Sequence, residues 1–445
     1  MGVNNSDEGS SPVEADEGQH KRRYGDTPDG GLLAWTQVAM GHLVIFNCWG
    51  YITSSVRHHP SLPRNFTTEN HPNSSSFGFF QQYYVEQLRR SASDISWIGS
   101  TQMFLLNFVG FFSGRTVDSG HLRLSLTLGC ALQVAGVFST AFATRYWHLF
   151  LAQGVCSGLG HGFLFAPVVA ILPTYFGRYR AVAVSLATCG ASTGGMVFPL
   201  IAHLAMPRLG FRWTVLVMGC VVGFNAVVIV CFTRTRVPTR KPRSLFDFRA
   251  FAEVPYTLFA VGSFFALWGI YFAYFYIGVF GRAVLDLSQT QSLLSIIVMN
   301  GVGLFGRVIP ALLADRYFGI LNTLISAVGV SGILILGWAG VSSTEGLFGW
   351  AVVYGIAANA TQSLFPAAVG DLSTDPTRVG TKVGMILAVV SVSCFTGPPI
   401  GGRLIALHDG NYLYAQLFGG LAMLAGCLTY VVVAFKRPKK MREAR

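Results

Sequence analysis

The sequence predicts an all-α membrane protein with twelve transmembrane helices in two six-helix pseudo-repeats, the first span being interrupted by a polar insert. Three observations predict it. Of the 445 residues, 52% are apolar and only 12% are charged, whereas a soluble chain carries about 25% charge. Apolar runs of spanning length, about 20 residues each, recur from end to end, with the charges falling between them. The two halves also repeat the same small-residue and turn motifs at matching points, a pattern of carriers built from internal repeats. A net charge of +12 would suggest nucleic acid in a soluble protein. Here the charge sits in loops, so its placement decides its meaning, and the expected partner is the lipid bilayer rather than nucleic acid.

Residues 1–31 form a polar, acidic tail expected to be disordered and cytosolic. Runs bounded by charge or turn residues place six spans near 32–54, 94–114, 122–142, 147–172, 181–205 and 213–233, an amino-terminal bundle over 32–233. A basic cytosolic linker, 234–253, leads to six more spans near 254–280, 292–313, 318–340, 346–369, 380–406 and 412–435, a second bundle over 254–435. The chain ends in a basic stub, 436–445. Lys and Arg gather on alternate loops: Lys21 to Arg23, Arg115, Arg123, Arg178, Arg180, the linker, Arg316, Arg378 and Lys382 share one side. By the positive-inside rule that side, with both termini, is cytosolic. The expected location is the plasma membrane, with a vacuolar or other internal membrane as the alternative.

Residues 55–76 interrupt the first span with Arg57, His58, His59, three prolines and N-glycosylation sequons at Asn65 and Asn73. Such a stretch cannot lie in hydrocarbon, where unsatisfied backbone is prohibitive. Two readings are open: a glycosylated extracellular loop, or a translated intron whose removal would restore an unbroken span. The second is preferred because the insert falls inside a helical element.

The repeats place a switch in each half. Gly114-Arg115-Thr116-Val117-Asp118 follows span two, and Ala311-Leu312-Leu313-Ala314-Asp315-Arg316 follows span eight. Arg115, Asp118, Asp315 and Arg316 are expected to pair carboxylates with basic residues in one conformational state and release them in the other. Gly190, Gly194, Gly195 and Pro199 in span five answer Gly397-Pro398-Pro399-Ile400-Gly401-Gly402 in span eleven. Small residues there let helices approach closely.

Asp29-Gly30-Gly31-Leu32-Leu33-Ala34-Trp35 resembles the acidic, Gly-rich, Trp-containing start of the first span in the monocarboxylate transporter family of the major facilitator superfamily, especially its fungal branch. Tyr175 to Ala183, followed by Gly190 and Gly194, resembles that family's second signature, with Ser185 where the family prefers Gly. The resemblance implies the major facilitator fold and anion handling by Arg307. It also implies a Lys near Thr53 and an Asp at Gly303, both absent here, so the family's usual proton relay is not expected.

None of the 20 carboxylates lies near the middle of a predicted span. Arg307 does, at a cost of about 2.5–3.5 kcal/mol on insertion scales. A water-lined cavity binding a carboxylate would offset that cost, because the guanidinium fork matches two oxygens. Asn300, Asn359, Gln362, Tyr271 and Tyr274 are the candidate substrate-binding companions, with interhelical hydrogen bonding as the alternative role of each. His42 and His161 are the candidates for proton coupling, since histidine titrates near neutrality. His161 lies among Gly158, Gly160 and Gly162, which suggests room for its ring.

The eight cysteines are scattered singly through apolar runs, so neither a metal site nor any other cofactor is expected. No phosphate-cradling G-x-x-x-x-G-K-[ST] run is present. The expected function is secondary or facilitative transport of a small organic anion, monocarboxylate-like or a carboxylate-bearing fungal secondary metabolite, by a monomer that is not an enzyme. The alternatives are a non-transporting nutrient sensor of the same fold and a product inactivated by the insert.

Overall fold

The computed structural model describes residues 30–52, 92–176, 179–234, 248–371 and 379–436. The insert, with Asn65 and Asn73, lies outside the described residues, as do Thr53, most of the linker and both terminal tails. Every long element among the described residues is helical. In chain order these are α1 (Leu32–Ile45), α2 (Ala92–Asp118), α3 (Leu122–Ala141), α4 (Tyr146–Tyr175), α5 (Arg180–Phe232) and α6 (Val254–Leu285). Then come α7 (Gln289–Leu313), α8 (Ile320–Gly337), α9 (Thr344–Asp371), α10 (Val379–Leu407) and α11 (Leu413–Lys436).

Nine stretches among the described residues are long and apolar enough to cross a membrane. α2 and α9 are as long but carry more polar residues. The expected fifth and sixth spans are joined in α5, whose 53 residues would reach roughly 80 Å if straight, far beyond a hydrocarbon core of about 30 Å. Gly210 resolves the excess: its φ of 75° and ψ of 174° break the helical path, and that region of backbone space favours glycine. Sequence placed a loop between 205 and 213; the turn is instead a single residue wide, because one glycine suffices to redirect the chain.

Burial is inverted relative to a water-soluble bundle. Phe224, Ile333, Leu428 and Phe435 are exposed, whereas Gln102, Gln133, Asn47 and Asn359 are buried. In a bilayer the outer face meets hydrocarbon and polar groups turn inward, while helices satisfy every backbone group internally. Inside, one pair of buried amides joins two helices: Asn225 Nδ2 donates to Asn47 Oδ1 at 2.8 Å, tying α5 to the turn that continues α1.

The helices before residue 233 pack chiefly on one another, as do those after 254, and the two groups meet along α2 with α10 and α5 with α7. Within the first group α1 lies against α5. A Cβ at Gly194 would come within 2.5 Å of the Phe46 carbonyl and 2.8 Å of Gly50 Cα, so only glycine admits this approach of two backbones. Beside it, Phe46–Gly50 is a π-helical turn. The extra residue in such a turn re-aims the side chains it carries, and Trp49 is among them.

Because the obstruction at Gly194 is backbone, it cannot rotate away. Gly194→Val is expected to destabilise the protein by about 1–3 kcal/mol or more. Gly223→Val, at a position where a Cβ meets nothing within 4 Å, should leave thermal unfolding in detergent unchanged. Equal melting temperatures for the two variants would contradict this packing account.

Candidate functional site

α7 begins with a capping box in which Ser288 Oγ accepts the Gln291 amide at 3.3 Å and Gln291 Oε1 accepts the Ser288 amide at 3.0 Å. That start fixes the register that carries Asn300, Gly303 and Arg307 along one helix. Arg307 is 3% exposed and lines a cavity between the two helix groups, with about 50 Å³ of space for the centres of water molecules. Arg307, Gln362 and Asn300 supply its polar wall, and Trp49, Tyr271, Tyr274 and Phe275 its aromatic one. No Asp or Glu is among the described residues that line it.

The guanidinium is held by neutral groups. Its Nε donates to Ser192 Oγ at 3.1 Å, and an Nη donates to Gln362 Oε1 at 3.5 Å. Ser192 belongs to α5 and donates in turn to Asn359 Oδ1 at 3.2 Å. Asn359 Nδ2 donates to Tyr274 Oη and to the Gly355 carbonyl, both at 2.7 Å. A chain of polar contacts thus runs from α6 through α9 and α5 to Arg307 on α7, crossing between the helix groups twice. A Cβ at Gly303 would lie inside the amide of Asn359. The space one turn before Arg307, where the resemblance implied an acid, is filled by a neutral amide from the neighbouring helix.

Five of the expected substrate-binding residues, Arg307, Asn300, Gln362, Tyr271 and Tyr274, line this one cavity, and Asn359 stands behind it. The two histidines are not in that lining. His161 is fully buried, with Nδ1 3.5 Å from Gln102 Nε2. The glycines around it make contacts rather than room: a Cβ at Gly162 would come within 2.5 Å of Val109, and one at Gly160 within 2.6 Å of the Gln133 amide nitrogen. His42 is half-buried, its Nδ1 3.1 Å from the Leu186 carbonyl and its Nε2 3.0 Å from Thr193 Oγ1. A carbonyl only accepts, so Nδ1 carries a hydrogen. The Thr193 hydroxyl also reaches the Cys189 and Gly190 carbonyls at 3.3 and 3.2 Å. It can therefore donate to Nε2 or turn away and accept from it, so both protonation states of His42 fit the same heavy-atom positions.

Asp315 lies in a π-helical turn, Ala314–Phe318, that ends α7. Its Oδ1 accepts the Ala181 amide at 3.2 Å and its Oδ2 the Val182 amide at 3.0 Å. The expected carboxylate-to-base pairing is thus joined by a different contact, a carboxylate of one half capping the first turn of a helix of the other, where the helix dipole favours negative charge. Arg316 lies over the Tyr317 ring, 5.3 Å from its centroid. Arg115 is in the last turn of α2, which ends at Asp118; the Asp118 side chain lies outside the described ones. Lys382 at the start of α10 bonds Glu253 at 3.1 Å, a pair sequence reading did not single out. Among the described residues no cluster of His, Cys, Asp and Glu is arranged to hold a metal ion.

Sequence reasoning also missed Ser192 and Trp49. Trp49 stacks on Tyr271 with ring centroids 5.8 Å apart and planes 6° from parallel, and meets the edge of Phe165 at 6.1 Å.

Comparison with known proteins agrees with this architecture. The sequence profile of the Major Facilitator Superfamily matches residues 72–354. An MFS-type transporter of Gibberella zeae is 39% identical over 97% of this chain and 91% of its own length. An aspyridones efflux protein of Emericella nidulans is 30% identical over 90% of this chain and 77% of its own. The crystal structure of the human organic anion transporter MFSD10 (TETRAN) superposes with a TM-score of 0.67, covering 90% of this chain and 99% of that one at 15% identity, a likeness of fold. The chain belongs to the major facilitator superfamily and is a multi-pass membrane protein of its transporter type.

Proposed function

We propose that the protein moves a small organic anion across the plasma membrane by alternating access, as a secondary or facilitative carrier. The observation that carries this reading is Arg307: a guanidinium buried in the central cavity, held by Ser192 and Gln362, with no acid among the described lining residues. A charge placed there is costly unless something offsets it, and a carboxylate would do so through two parallel hydrogen bonds. Twelve spans with both termini cytosolic accommodate the described helices once α5 is divided at Gly210. Export is the favoured direction, since a relative covering most of the chain is an efflux protein. The substrate would then be a carboxylate-bearing secondary metabolite.

In this cycle Asp315 acts on conformation rather than binding. Its cap on α5 holds the two halves together on the face that carries the basic loops, and that face must part for the cavity to open there.

Arg307→Ala should abolish carboxylate transport in vesicles while surface expression is retained. Arg307→Lys should recover only part of it, because a point charge loses the fork; a charged hydrogen bond is worth about 1.5–3 kcal/mol, or roughly ten- to a hundredfold in affinity. Full activity of the alanine variant would refute the assignment.

Asp315→Asn removes a charge–dipole contact of about 0.3–1 kcal/mol. It should alter turnover up to about fivefold with little change in substrate affinity, and raise the labelling of cysteines introduced on the basic face. A large affinity loss at normal turnover would count against it.

Gly303→Asp alone should destabilise the protein, because Asn359 occupies the space. Combined with Asn359→Ala it places a carboxylate beside Arg307, and transport by the double variant should acquire a pH dependence that the parent does not share. Identical pH profiles for the two would show that the site at 303 does not reach the substrate.

A further inference from the structure

The cavity lining mixes two chemistries, and that mixture bears on which anions it takes. Arg307 and Gln362 lie together, and Asn300 is seven residues from Arg307 along α7, about 10 Å of helix. The rest of the lining is largely rings and aliphatic side chains: Trp49, Tyr271, Tyr274 and Phe275, with Ile52 and Ile296. A short aliphatic acid bound to Arg307 would leave those faces against water, forfeiting the burial they offer. A larger saturated body would bury them but cannot lie flat between them.

Trp49 is the residue whose placement is most particular. The π-helical turn Phe46–Gly50 delivers it from the first helix group, and Tyr271 comes from the second, yet their planes are only 6° from parallel. Phe165 braces Trp49 from its edge. With centroids 5.8 Å apart and planes nearly parallel, the two rings leave no room for a third between them. Each ring belongs to a different half, so parting the halves separates two parallel faces. At about 7 Å, twice the contact distance of roughly 3.5 Å, they form a slot one ring thick.

We propose that the cavity selects organic anions with a planar, conjugated body, the ring system lying against or between Trp49 and Tyr271 while the carboxylate meets Arg307, and that Trp49 is the specificity-determining residue. This inference rests on the anion-carrier reading. It separates the protein from carriers of short aliphatic monocarboxylates, for which an aromatic slot does nothing. Stacking of a ligand ring on an aromatic side chain is sequence-tolerant and shape-selective, since any conjugated ring has a π face. The site would thus accept a range of planar acids.

The test uses full-length protein in proteoliposomes at neutral pH, with three probes of matched size: benzoate, cyclohexanecarboxylate and benzamide. The first is planar and charged, the second charged but puckered, the third planar but neutral. Counterflow and competition should rank benzoate about tenfold above cyclohexanecarboxylate, and benzamide should compete poorly. Trp49→Leu should remove most of the preference by weakening benzoate about tenfold and cyclohexanecarboxylate much less, and Trp49→Phe should keep most of it. Thermal unfolding in detergent verifies that both variants fold. Equal handling of benzoate and cyclohexanecarboxylate by the wild type overturns the planar selection and leaves the anion reading standing. So does a Trp49→Leu variant that weakens both alike. Benzamide competing as well as benzoate overturns the anion reading and leaves planar selection standing. Wild-type protein that responds to none of the three overturns both.

Discussion

The structure turns on a buried cation, Arg307, with no acid beside it among the described residues of its cavity. Arg307 is buried between the two helix groups, and the groups that reach it, a serine hydroxyl and a glutamine carbonyl, are dipoles without charge. Dipoles reduce the cost of burying a guanidinium but do not cancel its charge. Much of the surrounding architecture can be read as consequence. Asn359 fills the space at Gly303 and orients Ser192, Tyr274 anchors Asn359, and the capping box at Ser288 sets the register of the helix that bears Gly303 and Arg307.

One of the contacts that hold Arg307 also joins the two halves. Ser192 is in α5 and Arg307 in α7, so the Nε–Oγ bond is both part of a binding site and a tie across the moving interface. Eight residues further along, about 12 Å of helix, Asp315 makes a second tie to the first turn of α5. The two differ in kind. The outer tie is electrostatic and lies in a turn, where solvent limits its strength to about a kcal/mol. The inner one is buried and competes directly with whatever anion approaches the guanidinium. A ligand able to replace Ser192 as acceptor would loosen the halves at the moment it binds, which is the differential affinity that any ligand-driven change of state requires.

Much of this was legible in the sequence, and the exceptions have physical causes. Arg307 stands out because a lone cation in an apolar run has to be explained, and the helix runs follow from hydropathy alone. Ser192 does not stand out, since a serine in a Gly-rich helix is expected as packing. Trp49 is concealed by its surroundings: an aromatic residue in an apolar span carries no contrast, and its aim depends on a π-helical turn that periodicity at 3.6 residues cannot foresee. The glycines around His161 were read as free space, yet glycines in a bundle are where neighbouring helices come closest, and α2 and α3 close over the ring instead. The break at Gly210 looks like a longer loop in the sequence, because sequence shows which residues permit a turn but not how few are needed.

Charge balance across the proposed cycle follows from the same arginine. With an anion bound, the cavity is close to neutral; empty, it carries one positive charge through the low-dielectric centre of the molecule. Reorienting the loaded form therefore meets a smaller electrostatic barrier than reorienting the empty form. A carrier built this way exchanges one anion for another more readily than it returns empty, unless a second titratable group compensates. His42 is the group positioned to matter, because Thr193 can accommodate either of its protonation states and Thr193 adjoins Ser192 on the same helix. Protonating it in the empty carrier would add to the positive charge of Arg307 and raise that barrier further. Protonating it together with anion binding would leave an excess charge in the loaded one. Neither lowers the empty-state barrier as a carboxylate beside Arg307 would, so with glycine at 303 the proposed cycle favours exchange over proton-coupled net flux.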